Sequence, residues 1–151
     1  MRTPPVGGGE PPGQHNVEQA REPAPRIASE AYARAVLDVT ELIPEGRVLT
    51  YGDIAELLTC GGPRQVGRAL SRASRDVPWW RVLRAGGHPA RGLALHARPH
   101  YDDECTPLSV RPGTTDPEDF RVDLASARWW PSDADHAVLA ALGASLRRAG
   151  P

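Results

Sequence analysis

The run Pro78-Trp79-Trp80-Arg81-Val82 holds the residues of this 151-residue chain best suited to a specific chemistry. Two adjacent indoles between a proline and an arginine are costly to expose and awkward to bury. Just before them, arginines recur at 64, 68, 72 and 75. Flat aromatic surface beside guanidinium groups is what holds a nucleobase taken out of its stack. Neighbouring residues of an extended segment point opposite ways, so one ring faces a ligand and the other packs. Trp79 is read as the base-facing wall, where stacking is worth about 1–3 kcal/mol. Trp80 then packs inward or forms the rim.

The charge distribution agrees with an anionic partner. Residues 64–98 carry eight arginines against Asp76 alone, a surplus of +7 in a chain whose net charge is −1. Such a block is a local footprint for phosphate, more informative than the overall balance. Taken alone, a row of arginines is an ordinary solvated helix face; its concentration within an otherwise acidic chain favours phosphate contact.

Other reactive side chains offer less. His96 and His100 have helical metal-ligand spacing, but Pro99 between them argues against one continuous helix, and four ligands are not evident. Cys105 follows Asp102, Asp103 and Glu104, which disfavour its thiolate, and Cys60 sits at an expected helix C-terminus, where the dipole does the same. No metal and no cofactor are expected. Two cysteines cannot build a disulfide framework, and no run of eighteen apolar residues exists to span a membrane. The expectation is a soluble, reduced, cytoplasmic protein, nucleoid-associated if bacterial.

Elements that would position these residues can be read from the pattern. Residues 1–26 contain six prolines and four glycines with almost nothing apolar, and read as a disordered tail. Tyr32, Val36, Val39 and Ile43 form one helical stripe, stopped by Pro44-Glu45-Gly46. Thr50 and Asp53 form a capping box that opens a second helix through Ile54 and Leu58 to Cys60-Gly61-Gly62. Pro63 suits the first turn of a third helix, with Val66, Ala69, Leu70 and Ala73 inward and Arg64, Arg68, Arg72 and Arg75 outward. Two short helices around a glycine turn predict a helix-turn-helix. Val82-Leu83 and Gly86-Gly87 predict an extended segment and hairpin-like bend, a wing. Residues 91–98 predict a helical turn cut off by Pro99, and residues 120–124 a short strand. Trp129-Trp130 is expected to close the domain against the sheet. Ser132 and Asp135 cap a last helix with Val138, Leu139, Leu142 and Leu146 inward.

Three segments, in order, carry a family resemblance: Ile43 through Ala55 (IPEGRVLTYGDIA), Pro63 through Leu70 (PRQVGRAL), and PWWRV at 78–82. Together they resemble the DNA-binding domain of the alkylguanine-DNA alkyltransferases, strongly over residues 30–95 and weakly as far as Trp130. In that family the last motif reads PCHRV, and its cysteine accepts the alkyl group. Here Trp79 takes the cysteine position and Trp80 the histidine position, so the nucleophile and its base are both missing. The chain therefore resembles the alkyltransferase-like branch, which usually reads PWHRV and binds alkylated guanine without reacting.

The resemblance implies that Tyr51 presses on the target phosphate and helps rotate the nucleotide out. It implies that Arg64 is the finger filling the vacated space, and that Gln65, Arg68 and Arg72 line the helix in the minor groove. Thr50, at the cap before Tyr51, belongs with these DNA-facing residues. Arg84 stands where the family has its hinge asparagine. Trp79, Trp80, Arg81 and Arg91 form the expected lesion pocket, Arg91 lying near an arginine that touches the base in relatives.

The resulting expectation is a mainly helical α+β chain of winged helix-turn-helix type. Its parts are a disordered tail at 1–26, a DNA-binding domain at 27–131 and a helix at 132–151 packed on or appended to that domain. It would act as a monomer on double-stranded DNA carrying alkylated guanine, flagging the lesion for excision-repair proteins. Two rivals stay open: an active alkyltransferase using Cys60 or Cys105, and a helix-turn-helix transcriptional regulator.

Overall fold

The computed structural model describes residues 25–148. Apart from Pro25 and Arg26, which open the first helix, the segment expected to form the tail lies outside the described residues. The fold is mainly helical α+β. In order come α1 (Pro25–Leu42), β1 (Leu49–Thr50), α2 (Tyr51–Leu58), α3 (Pro63–Ser71) and β2 (Val82–Leu83). Then follow α4 (Ala94–Glu104), β3 (Leu108–Val110), β4 (Phe120–Val122), α5 (Leu124–Ala127) and α6 (Asp133–Arg148). Single 3₁₀ turns at Trp79–Arg81 and Ala85–Gly87 flank β2.

Two apolar clusters hold this together. In the first, the α1 stripe of Tyr32, Val36, Val39 and Ile43 packs against Ile54 and Leu58 of α2 and Val66 of α3. Leu139 of α6 and Trp129 close it. Each fully buried aliphatic side chain contributes roughly 1.5–3 kcal/mol. In the second, Tyr101 of α4 and Phe120 and Val122 of β4 gather around Val48 and Leu83, with Trp79 and Trp80 packed on its edge. β1 pairs with β2 in parallel, Leu49 opposite Val82 and Thr50 opposite Leu83. β3 pairs with β4 antiparallel.

The helix-turn-helix is locked by local chemistry. α2 ends at Thr59 in the left-handed region (φ 52°), and Gly61 follows at φ 73°. A Cβ at Gly61 would run into the Tyr32 hydroxyl, so glycine is required there by both its dihedral and its neighbour. That hydroxyl donates to the Cys60 carbonyl (2.9 Å), tying the turn to α1. Gln65 reaches back to accept the Gly62 N–H (2.9 Å), and Pro63 needs no partner at the first turn.

Several expectations need correction. α4 runs unbroken through Pro99. Proline removes the bond to the Leu95 carbonyl, but Leu95 and Pro99 both lie on the exposed side, where water replaces it, while buried Ala97 and Tyr101 pin the other side. The expected wing is no antiparallel hairpin: β2 lies parallel to β1, joined through α2 and α3, and only a tight turn from Arg84 to His88 follows (N–H to carbonyl 2.8 Å). Trp129 is buried in the cluster that also holds Leu49 of β1 and Val82 of β2, and its backbone N–H bonds the Val48 carbonyl (2.9 Å), whereas Trp130 is 78% exposed. Val138 faces solvent, because α6 meets α1 and α2 through Leu139, Leu142, Gly143 and Leu146.

Burial pushes the Tyr32 phenol up to about 12, with Cys60 adding to the shift. The unfolded chain ionises near the ordinary value of 10 while the folded phenol stays neutral, so this contribution to stability is complete below pH 10 and is lost between pH 10 and about 12. Tyr32→Phe is expected to flatten that alkaline decline in thermal midpoint while lowering the midpoint at neutral pH, through loss of the Cys60 hydrogen bond.

Candidate nucleic-acid interface

Tyr51 is the first residue of α2, and its place follows from the cap beneath it. Thr50 Oγ1 accepts the Asp53 N–H (3.1 Å) while Asp53 Oδ2 accepts the Thr50 N–H (3.0 Å). Asp53 also pairs with Arg128 (3.2 Å). Thr50 is thus largely buried, and its hydroxyl accepts the cap bond at the start of the helix that Tyr51 opens. The Tyr51 ring lies over Gly67 of α3, where a Cβ would sit 3.8 Å from the ring carbons, so α2 and α3 approach closely at this point. Burial raises the Tyr51 phenol's pKa, and the nearby Arg84 charge opposes that rise.

Arg64, Gln65 and Arg68 project from α3 and Arg72 from its C-terminal cap, all exposed. Among the described residues no ion pair engages Arg64, Arg68 or Arg72. Arg75 differs. It lies beyond the end of α3 and is held by Asp38 (2.5 Å) and Glu41 (2.9 Å) of α1. The basic row available to a polyanion is therefore three arginines long, because the helix ends before the fourth and α1 presents two acids to it.

Beside this row opens a cavity of about 480 Å³, within the range of roughly 300–1,000 Å³ typical of small-molecule sites. Tyr51, Leu70, Trp79, Arg91, Leu93 and His96 form its walls, and no carboxylate lines it. Trp79 is half-buried, one wall of this space. A wider and shallower groove of about 710 Å³ lies on the other side of Trp79, against Trp80, His100, Glu41 and Arg75. Glu41 and Asp76 line this groove, and both of its arginines, Arg75 and Arg81, are already paired with carboxylates.

The four residues expected in one pocket separate. Trp79, Trp80 and Arg81 line the 710 Å³ groove together, while Trp79 and Arg91 line the 480 Å³ cavity. Trp80 donates from Nε1 to Glu104 (2.9 Å) and Arg81 pairs with the same carboxylate (2.6 Å). Arg81 also donates to the Ile43 carbonyl (2.8 Å). The cause is the 3₁₀ turn, which points residues 79 to 81 in three directions where an extended strand would alternate them. Burial alone would raise the Glu104 pKa, but bonds from Arg81, the Gly46 N–H and Trp80 outweigh it and hold the carboxyl below its ordinary value.

His96 was not expected at the site. With α4 continuous, Leu93 at its cap, His96 and His100 fall at i, i+3 and i+7 on one face, the periodicity that the proline obscured. Cys60 and Cys105 are both exposed, and neither lines the cavity. Among the described residues no group of three or more histidine, cysteine or acidic side chains is placed to hold a metal ion, and no helix is long and apolar enough to cross a membrane.

Residues 31–98 match the family described as the DNA-binding domain of 6-O-methylguanine DNA methyltransferase. The DNA base-flipping proteins of Escherichia coli K12 and Shigella flexneri are each 40% identical over 63 residues, covering 38% of this chain. The chain spans about half the length of these curated relatives, 47% of each. Two crystal structures from S. pombe share the fold over 68% of this chain and 97% of theirs. Atl1 in complex with damaged DNA containing O6-carboxymethylguanine aligns at TM-score 0.58 and 24% identity. ATL in complex with DNA aligns at TM-score 0.57 and 25% identity.

Each phosphate contact adds to the salt dependence of binding and carries little sequence information. Arg68→Ala and Arg72→Ala are each expected to reduce the slope of log affinity against log salt by about 1. Fluorescence-anisotropy titrations on a plain duplex at several salt concentrations read this directly. An unchanged slope would place those side chains off the DNA.

Proposed function

We propose that this chain, whose residues 31–98 match the DNA-binding domain of 6-O-methylguanine DNA methyltransferase, is a damage reader that takes an alkylated guanine out of duplex DNA without reacting with it. One observation carries the proposal most: the indole at the alkyl-acceptor position is half-buried and forms a wall of an open cavity, with Tyr51 opposite and the unpaired arginine row beside it. A ring buried purely for packing would have no such space next to it.

The proposed steps combine the roles the family resemblance implies with the geometry of these residues. α3 lies in the minor groove with Arg68 and Arg72 on phosphates. Tyr51, held by the Thr50–Asp53 cap, bears on the phosphate of the target nucleotide. Arg64, at the exposed start of α3, enters the stack as the nucleotide leaves, which offsets part of the unstacking cost of a few kcal/mol. The base then stacks on Trp79 with Arg91 at the cavity wall. A damaged, poorly paired base leaves the stack at lower cost than a sound one, which supplies part of the selectivity. Position 79 has no thiol and position 80 no imidazole, so the bound base stays intact. The marked lesion would be passed to excision-repair proteins, with this chain acting as a monomer.

Arg64→Ala is expected to weaken binding to a duplex containing O6-methylguanine and to abolish preference over the matched plain duplex in competition gel shifts. A retained preference would remove Arg64 from the flipping step. The enzymatic alternative is tested separately, by incubating the protein with an O6-methylguanine duplex and measuring its intact mass. An unmodified mass is expected; a gain of one methyl group would assign transfer to Cys60 or Cys105.

A further inference from the structure

Trp79 lines both the 480 Å³ cavity and the wider groove behind it. Space on both of these faces means that the surrounding volume alone does not fix which face meets the base. Something else must. Trp79 meets the Trp80 ring edge-on, with centroids 5.7 Å apart at 86°, and the His100 ring edge-on at 6.0 Å and 79°.

Those two rings are themselves immobilised. Trp80 lies flat on His100, centroids 3.6 Å apart and 8° from parallel. Its Nε1–H donates to Glu104 Oε1 (2.9 Å), and its carbonyl accepts the Tyr101 hydroxyl (2.6 Å). Arg81, also on Glu104, places its guanidinium 5.6 Å from the Trp80 ring centroid. Tyr101 is 1% exposed within the second apolar cluster, so the chain of contacts ends in rigid core.

We propose that Trp80 and His100 are positioning residues for Trp79, holding its ring at the angle that lets the cavity distinguish an alkylated guanine from a normal one. This rests on the base-reading role given to the cavity above. The second indole of the pair is then the clamp on the first. Plain-duplex affinity comes from the phosphate contacts of α3, which the clamp does not touch. Loss of the clamp therefore acts on the ratio of lesion to plain-duplex affinity, not on both together.

The test compares the full chain with Trp80→Leu, Trp80→Phe and His100→Leu, using matched duplexes with and without O6-methylguanine. Thermal midpoints without DNA identify which variants fold. Trp80→Leu and His100→Leu are expected to lower the affinity ratio about five- to tenfold, the scale of one lost stacked contact, with plain-duplex affinity kept within about twofold. Trp80→Phe keeps the stacking face and loses only the Glu104 bond, so it is expected to retain most of the ratio. An unchanged ratio in a folded variant, or equal weakening on both duplexes, overturns the proposal. Should Trp80→Leu fail to fold, His100→Leu decides alone. A wild-type chain that does not separate the two duplexes would instead remove the base-reading role, and the clamp with it.

Discussion

The Glu104 carboxylate is the point at which the two apolar clusters are joined. It accepts from the Gly46 N–H (3.1 Å), from Trp80 Nε1 (2.9 Å) and from Arg81 (2.6 Å), and Arg81 continues to the Ile43 carbonyl at the end of α1. Three segments distant in sequence, at 43–46, 80–81 and 104, thus converge on one largely buried ion pair. Desolvating such a pair costs several kcal/mol, and the cost is offset only when the remaining lone pairs are filled, as here. The value of the arrangement lies in geometry: it fixes how the turn bearing the tryptophans sits on α4. Removing either charge would strand the other in a poorly hydrated place, so the pair acts as a unit.

Much of the scaffold was legible because local rules and tertiary packing agree. The α1 stripe, the Thr50–Asp53 box, the glycine turn with Pro63 behind it, and the Ser132–Asp135 cap all form as their residue types dictate. What escaped was decided by packing at a distance. Pro99 reads as a break, but a helix needs only one well-buried side to survive a missing bond on the wet side. β1 and β3 are too short to announce themselves, since two or three residues carry no periodicity. Arg75 keeps the spacing of its three predecessors, and nothing local reveals that the helix stops at Ser71 or that α1 offers Asp38 and Glu41.

The site was legible in type and not in arrangement. Alternation placed Trp79 on the cavity side and Trp80 off it, although the backbone there is a 3₁₀ turn and the reason given was therefore incomplete. Arg81 belongs to the carboxylate cluster, a fact no spacing argument could supply, because its partner lies twenty-three residues away. His96 joined the cavity only once α4 was continuous. Thr50 contributes by shaping the backbone under Tyr51. In each case the residue type was informative, and its neighbours in space decided its role.

The parallel pairing of β1 with β2 has a consequence for electrostatics. Thr50 opposite Leu83 puts Tyr51 in step with Arg84, the residue after β2, where Arg84 is steadied by the Pro89 carbonyl (2.8 Å). A slip of one rung would replace that cation with an aliphatic or a methyl side chain. Two rungs of ladder are too few to prevent slippage, so alignment depends on Leu49, Val82 and Leu83, each 2% exposed or less. The charge beside Tyr51 is accordingly set by three apolar side chains that never meet it.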